Sequence, residues 1–154
     1  MKNFFIITAI VVASLLYFPN EESLKVKFEN DFLIGATINQ EDYQIIDKDA
    51  KAIKIVQKDF NAVTPENSMK WMHIHPEFNE FTFSNADKIV DFAKENEMYL
   101  LGHTLVWHNQ VPDYIYNIKD KSTFQEHVEE HVNTVVKRYH CLLYTSDAAD
   151  DDTR

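Results

Sequence analysis

The chain has 154 residues, with 15 Lys+Arg against 25 Asp+Glu and a formal net charge of -10. A hydrophobic content of 45% with 13% aromatics fits one globular domain and argues against a disordered chain, while the acidic balance disfavours a nucleic-acid binder that tracks phosphates with a basic face. Only 2 Gly and 1 Cys (Cys141) are present, which rules out glycine-rich phosphate loops, an internal disulfide and a cysteine-based zinc site.

Residues 1–19 read as a secretory signal peptide. Lys2 precedes an apolar run over residues 4–18, and Pro19 ends it. The run is shorter than the about 20 residues that cross a bilayer comfortably. Ala9, Ala13 and Ser14 fit the small-residue cleavage pattern poorly, so an uncleaved anchor is the alternative. The expected location is secreted or periplasmic, with no membrane attachment after cleavage. Residues 20–31 are a polar lead-in carrying Glu21, Glu22, Lys25 and Lys27.

Residues 32–38 form an apolar run without helical period and suit a buried strand. Ile45, Ile46, Ala50, Ile53 and Val56 recur at three- and four-residue steps with lysines between them, an amphipathic helix. Residues 60–64 predict a second strand, stopped by Pro65. Ser84 with Asp87 resembles a capping box, followed by the stripe Ala86, Ile89, Val90 and Ala93. Residues 98–107 predict a third strand. Ser122 and Gln125 suggest another capping box, and Phe124, Val128, Val132, Val135, Val136 and Tyr139 a third helical stripe.

The order β-α-β-α-β-α implies a parallel sheet with crossover helices, whose function sits at the carboxyl ends of the strands. Polar residues gather at two such ends: Glu66, Asn67 and Lys70 after the second, and His103, Trp107, His108, Asn109 and Gln110 at the third. On the third strand His103, Leu105 and Trp107 share parity and point inward together, while Thr104 and Val106 face the helices. Three βα units bury both faces of a sheet poorly, so the domain looks unfinished. Residues 141–154 continue no stripe and end in an acidic, small-residue run. They read as a solvated tail or, by their likeness to translated adapter sequence, as a non-native tail.

Two segments, Val63-Thr64-Pro65-Glu66-Asn67-Ser68-Met69-Lys70-Trp71 and Gly102-His103-Thr104-Leu105-Val106-Trp107-His108-Asn109-Gln110-Val111-Pro112, resemble signatures of glycoside hydrolase family 10, the family of endo-β-1,4-xylanases. Residues 81–93 resemble its second helix and residues 32–36 its first strand, so the resemblance covers about residues 32–139 in the expected order. It implies an α/β fold, a (β/α)8 TIM barrel of which residues 32–140 hold about the first three βα units. It also implies retaining hydrolysis of xylan by two carboxylates about 5–5.5 Å apart. In the family those glutamates follow strands four and seven, the first within a Trp-Asp-x-x-Asn-Glu stretch that is absent here, so neither catalytic glutamate is expected in this chain. Carried over residue by residue, Glu66, Asn67 and Lys70 line a glycone subsite, and His103, Trp107 and Gln110 surround the sugar at the cleavage point. Such groups suit sugar hydroxyls, and an indole face suits the C–H side of a pyranose. The implied partner is xylan or a xylo-oligosaccharide, with no cofactor, no metal and a monomeric full-length enzyme.

Plainer readings stand beside these. Glu66 and Lys70 at four-residue spacing can be an intrahelical ion pair. His103 can be a core histidine, Trp71 a packing residue, and His73 and His75 solvated loop residues. His108 either supports Trp107 or touches substrate. His127-Val128-Glu129-Glu130-His131 matches the inverted zinc-protease pattern, with His127 and His131 as ligands and Glu130 as base, but both histidines border the apolar stripe and no downstream Glu supplies a third ligand. A non-catalytic carbohydrate-binding protein is the remaining alternative to a xylanase.

Overall fold

The computed structural model describes residues 22–38, 50–140 and 143–145. The expected signal peptide, the Ile45–Ile46 start of the expected first helix and most of the expected tail lie outside them. In chain order the elements are α1 (Leu24–Lys27), β1 (Gly35–Ile38), α2 (Ala50–Asp59), β2 (Ala62–Pro65), α3 (Trp71–Ile74), α4 (Ser84–Glu95), β3 (Tyr99–His103), α5 (Asp113–Tyr116), α6 (Lys121–Arg138) and β4 (Leu143–Thr145).

The strands form one parallel sheet in the order β1-β2-β3-β4, the sequential neighbour pairing that a (β/α)8 barrel requires. Ala36 pairs with Val63, Val63 with Leu100, and Gly102 with Tyr144. Asn61 ties the strand entrances together. Its side-chain oxygen accepts from the Ile34 N–H at 2.7 Å, its backbone N–H donates to Ile34, and its carbonyl accepts from Tyr99.

Alternation along the strands separates two faces. Val63 and Leu100, 0% and 4% exposed, pack with Ile89, Val90 and Ala93 of α4 in the central apolar cluster. Burying side chains of this size contributes about 1.5–3 kcal/mol each. Tyr99, Leu101 and His103 alternate with the buried Leu100 and Gly102 and are half-buried or exposed. In a closed barrel that second face is the interior.

Several expectations change. The first strand begins at Gly35 rather than residue 32, and it is not fully buried. It sits at a sheet edge, where only Ile38 is buried, and Phe32 stacks on Phe28 at 5.0 Å instead. Neither capping box forms. Ser84 is the first residue of α4 and gives no cap, because the N-cap position is Phe83, whose carbonyl accepts from the Asp87 N–H at 2.8 Å; the Asp87 carboxylate accepts from Arg138 and Tyr139 instead. The cap of α6 is Asp120, whose carboxylate accepts from the Thr123 N–H at 2.8 Å and hydroxyl at 2.9 Å. The stripe of α4 is as expected, with Ala86, Ile89, Val90 and Ala93 all buried. That of α6 holds only in part: Val135 and Tyr139 are buried as expected, but His127 and His131 complete the buried line, while Phe124 and Val136 are exposed. Leu143–Thr145, inside the segment expected to lie outside the fold, pairs with β3 as the fourth strand.

Candidate functional site at the ends of β2 and β3

β2 ends at Pro65 and β3 at His103, and parallel pairing puts both carboxyl ends on one side of the sheet. Glu66 follows directly, with its backbone N–H donating to Ile38 at 2.8 Å and its side chain exposed. The chain then turns through residues 67–70 before the single turn of α3. No helix spans Glu66 to Lys70, so the geometry of an intrahelical ion pair is not available. The Lys70 ammonium donates instead to Asn67 Oδ1 at 3.1 Å.

Lys70 is buried, and its Nζ stands 4.8 Å from the centroid of the Trp107 ring, within cation–π range. Asn67, Lys70 and Trp107, from two different strand ends, therefore meet. Trp107 lies beyond β3, which stops at His103, so strand parity accounts for His103 but not for Trp107. The residues after β3 bring the indole back over Lys70. His103, half-buried, is on the face of Tyr99 and Leu101. His108 is exposed and edge-on to Trp107, with ring centroids 5.6 Å apart. Its carbonyl accepts from the Tyr116 hydroxyl at 2.9 Å, and its Nε2 lies 3.0 Å from Asn109 Nδ2. Gln110 adopts φ 53°, a left-handed conformation uncommon for a residue with a side chain. Its carbonyl accepts from the Met72 N–H at 3.0 Å, which straps the end of this loop to α3.

Behind the site stands a column of stacked rings that no motif in the sequence marks. Trp71 stacks on His131 at 4.2 Å and 7°, His131 lies 5.9 Å from His75, and His75 stacks on Phe81 at 3.9 Å. Trp71 is a packing residue, 3% exposed, with its Nε1 donating to the Tyr114 hydroxyl at 3.3 Å. His75 is fully buried rather than solvated, and both its ring nitrogens lack a hydrogen-bond partner among the described residues. Burial lowers its pKa, as it does that of His73, where the Gln110 side chain opposes the shift. His131 is also fully buried, and its pKa falls to about 4, chiefly by burial and then by the neighbouring His75.

The two histidines of the zinc-protease pattern are engaged elsewhere: His131 stacks on Trp71 with its Nε2 3.0 Å from the Leu105 carbonyl oxygen, and His127 packs edge-on against Phe78 and Tyr114. Among the described residues no group of three His, Cys, Asp or Glu side chains could hold a metal ion. No helix among them is long and apolar enough to cross a membrane.

Comparison with known proteins agrees with this architecture. The sequence profile of glycosyl hydrolase family 10 matches residues 23–151. The chain is 36% identical over 134 residues to endo-1,4-beta-xylanase A of Caldicellulosiruptor saccharolyticus, covering 84% of this chain and 38% of that protein. Native xylanase 10B from Thermotoga maritima superposes with a TM-score of 0.71 at 39% identity, over 76% of this chain and 36% of the other. Xylanase 10B from Thermotoga petrophila RKU-1, in complex with xylobiose, gives a TM-score of 0.72 at 37% identity, over 79% and 38%. The chain thus spans less than two-fifths of the length of these relatives, and its parallel sheet with intervening helices is a partial (β/α)8 barrel. With the profile matched over most of its length and the barrel strands in order, the chain belongs to glycosyl hydrolase family 10.

Proposed function

We propose that the polar cluster after β2 and β3 is a xylose-binding subsite, and that the whole protein is an endo-1,4-β-xylanase cleaving internal bonds of xylan with retention. The observation that carries this reading is the meeting of Asn67, Lys70 and Trp107. A pyranose presents hydroxyls around its rim and C–H groups on its faces. An amide and an ammonium held by one hydrogen bond offer donors and an acceptor for the rim, and the indole beside them offers a flat apolar face. The similar Thermotoga petrophila enzyme binds xylobiose, which supports a xylo-oligosaccharide as the ligand.

Retaining hydrolysis needs an acid/base and a nucleophile about 5–5.5 Å apart. Of Glu66, Asn67, Lys70, His103, Trp107 and Gln110, only Glu66 carries a carboxylate. These residues therefore bind and orient the sugar, and the carboxylate pair is the contribution of the whole enzyme. We infer that Glu66, Asn67 and Lys70 hold a glycone-side sugar, and that His103, Trp107 and Gln110 surround the sugar at the scissile bond. We also infer export through residues 1–19 and a monomeric full-length enzyme.

Calorimetric titration of the chain with xylotriose tests the subsite. Binding is expected, with Lys70→Ala and Trp107→Ala each weakening it about tenfold or more, the loss expected from one charged hydrogen bond or one well-placed aromatic contact. Binding that neither substitution alters would remove the subsite from these residues.

A further inference from the structure

We propose that His131 is a positioning residue that locks the two halves of the sugar site in register from behind. The inference rests on the proposed xylose subsite and adds to it a residue that touches no sugar. His131 lies on α6, and α6 supplies none of the six site residues. Its Nε2 is 3.0 Å from the Leu105 carbonyl oxygen. A carbonyl can only accept, so the imidazole donates, and its tautomer carries the proton on Nε2. Leu105 stands two residues before Trp107, so the bond fixes the backbone that delivers the indole. The same ring stacks on Trp71 at 4.2 Å and 7°, and Trp71 directly follows Lys70. One side chain thus holds both the loop that carries Trp107 and the turn that carries Lys70, the pair whose 4.8 Å contact defines the site.

His75 supplies the internal control. It is equally buried and belongs to the same ring column, yet neither of its nitrogens has a hydrogen-bond partner among the described residues. If the column acts only as packing, the two histidines are equivalent. If the Leu105 bond positions the loop, they are not.

Trp71 and Trp107 are the 2 Trp of the chain, so 5-fluorotryptophan labelling gives one ¹⁹F resonance for each. In His131→Leu both resonances are expected to move: Trp71 because its stacking partner changes, and Trp107 because its loop loses the carbonyl anchor. His131→Gln, whose amide nitrogen can donate in place of Nε2, should return Trp107 near its original position and leave Trp71 shifted. His75→Phe should leave Trp107 in place. Xylotriose affinity should follow the Trp107 resonance, with about a tenfold loss in His131→Leu and recovery in His131→Gln. The tautomer is read on the unsubstituted chain by ¹⁵N spectroscopy of the imidazole, independent of whether any variant folds. A proton on Nδ1 rather than Nε2 would overturn the proposal. So would a Trp107 resonance that His131→Leu leaves unmoved or that His75→Phe moves equally. An unsubstituted chain that fails to bind xylotriose would overturn the subsite alone, since the tautomer and the ¹⁹F shifts are measured without sugar.

Discussion

Acid should loosen this fold through His131, and the size of the effect follows from its burial. The imidazole is fully buried, and its pKa is lowered from 6.5 to about 4. Above 6.5 both folded and unfolded chains hold it neutral, so it adds no pH dependence. As the pH falls below 6.5 the unfolded chain takes up the proton first, and the folded chain resists until about 4. Stability is lost across that window and no further below it. The gap corresponds to about 3 kcal/mol in full, of which about 2–3 kcal/mol is spent by about pH 4.5. His75, also lowered by burial, adds to the same direction. The perturbation is His131→Gln, which keeps a donor for the Leu105 carbonyl but cannot titrate. The assay is urea unfolding at about pH 7 and about pH 4.5, read by circular dichroism. The loss between the two pH values should shrink by about 2–3 kcal/mol in the variant. An unchanged loss would mean that the buried imidazole is not what acid attacks.

Three further outcomes are expected. Asp87→Ala should lower stability by about 1–2 kcal/mol in urea unfolding: the exposed Arg138 pair contributes little after screening, but the Tyr139 hydroxyl, on a residue 5% exposed, loses its 2.8 Å acceptor. Burial alone would raise the Asp87 pKa, and the bonds from Arg138 and Tyr139 outweigh it to hold the carboxyl below its usual range. That stability is present above the unfolded carboxyl pKa and disappears as pH falls through the folded one, so Asp87→Ala should flatten the acid limb below about pH 4. Incubated with xylan, the chain should release no xylo-oligosaccharide, because binding groups without a carboxylate pair cannot form or resolve a glycosyl-enzyme; reducing-sugar release above a blank contradicts this.

The regular elements were legible where apolar residues mark a face. Ala86, Ile89, Val90 and Ala93 announce the buried side of α4, and the run into β2 and its stop at Pro65 are visible. The buried line of α6 was not, because half of it is histidine. His127 and His131 scan as polar, so the valines beside them looked like the core side, although ring stacking lets a neutral imidazole occupy a core position. Capping failed for a separate reason. Ser84 and Ser122 have the right spacing, but each helix starts earlier: Phe83 holds the N-cap position of α4, its carbonyl taking the Asp87 N–H, and the Asp120 carboxylate caps α6. The candidate site residues came from two contiguous motifs, and their convergence follows from parallel strands. The Lys70–Asn67 bond and the return of Trp107 over Lys70 depend on loop conformation, which spacing does not encode.

Titration of the 5-fluorotryptophan-labelled chain with xylobiose is the most direct measurement of the sugar site. Trp107 stands at the open ends of β2 and β3, half-buried beside Lys70, whereas Trp71 is sealed behind them at 3% exposure. A sugar seated among Asn67, Lys70 and Trp107 should shift the Trp107 resonance saturably and leave Trp71 nearly still. A saturable shift of Trp71 alone, or of neither, would contradict a xylose subsite at this end of the sheet.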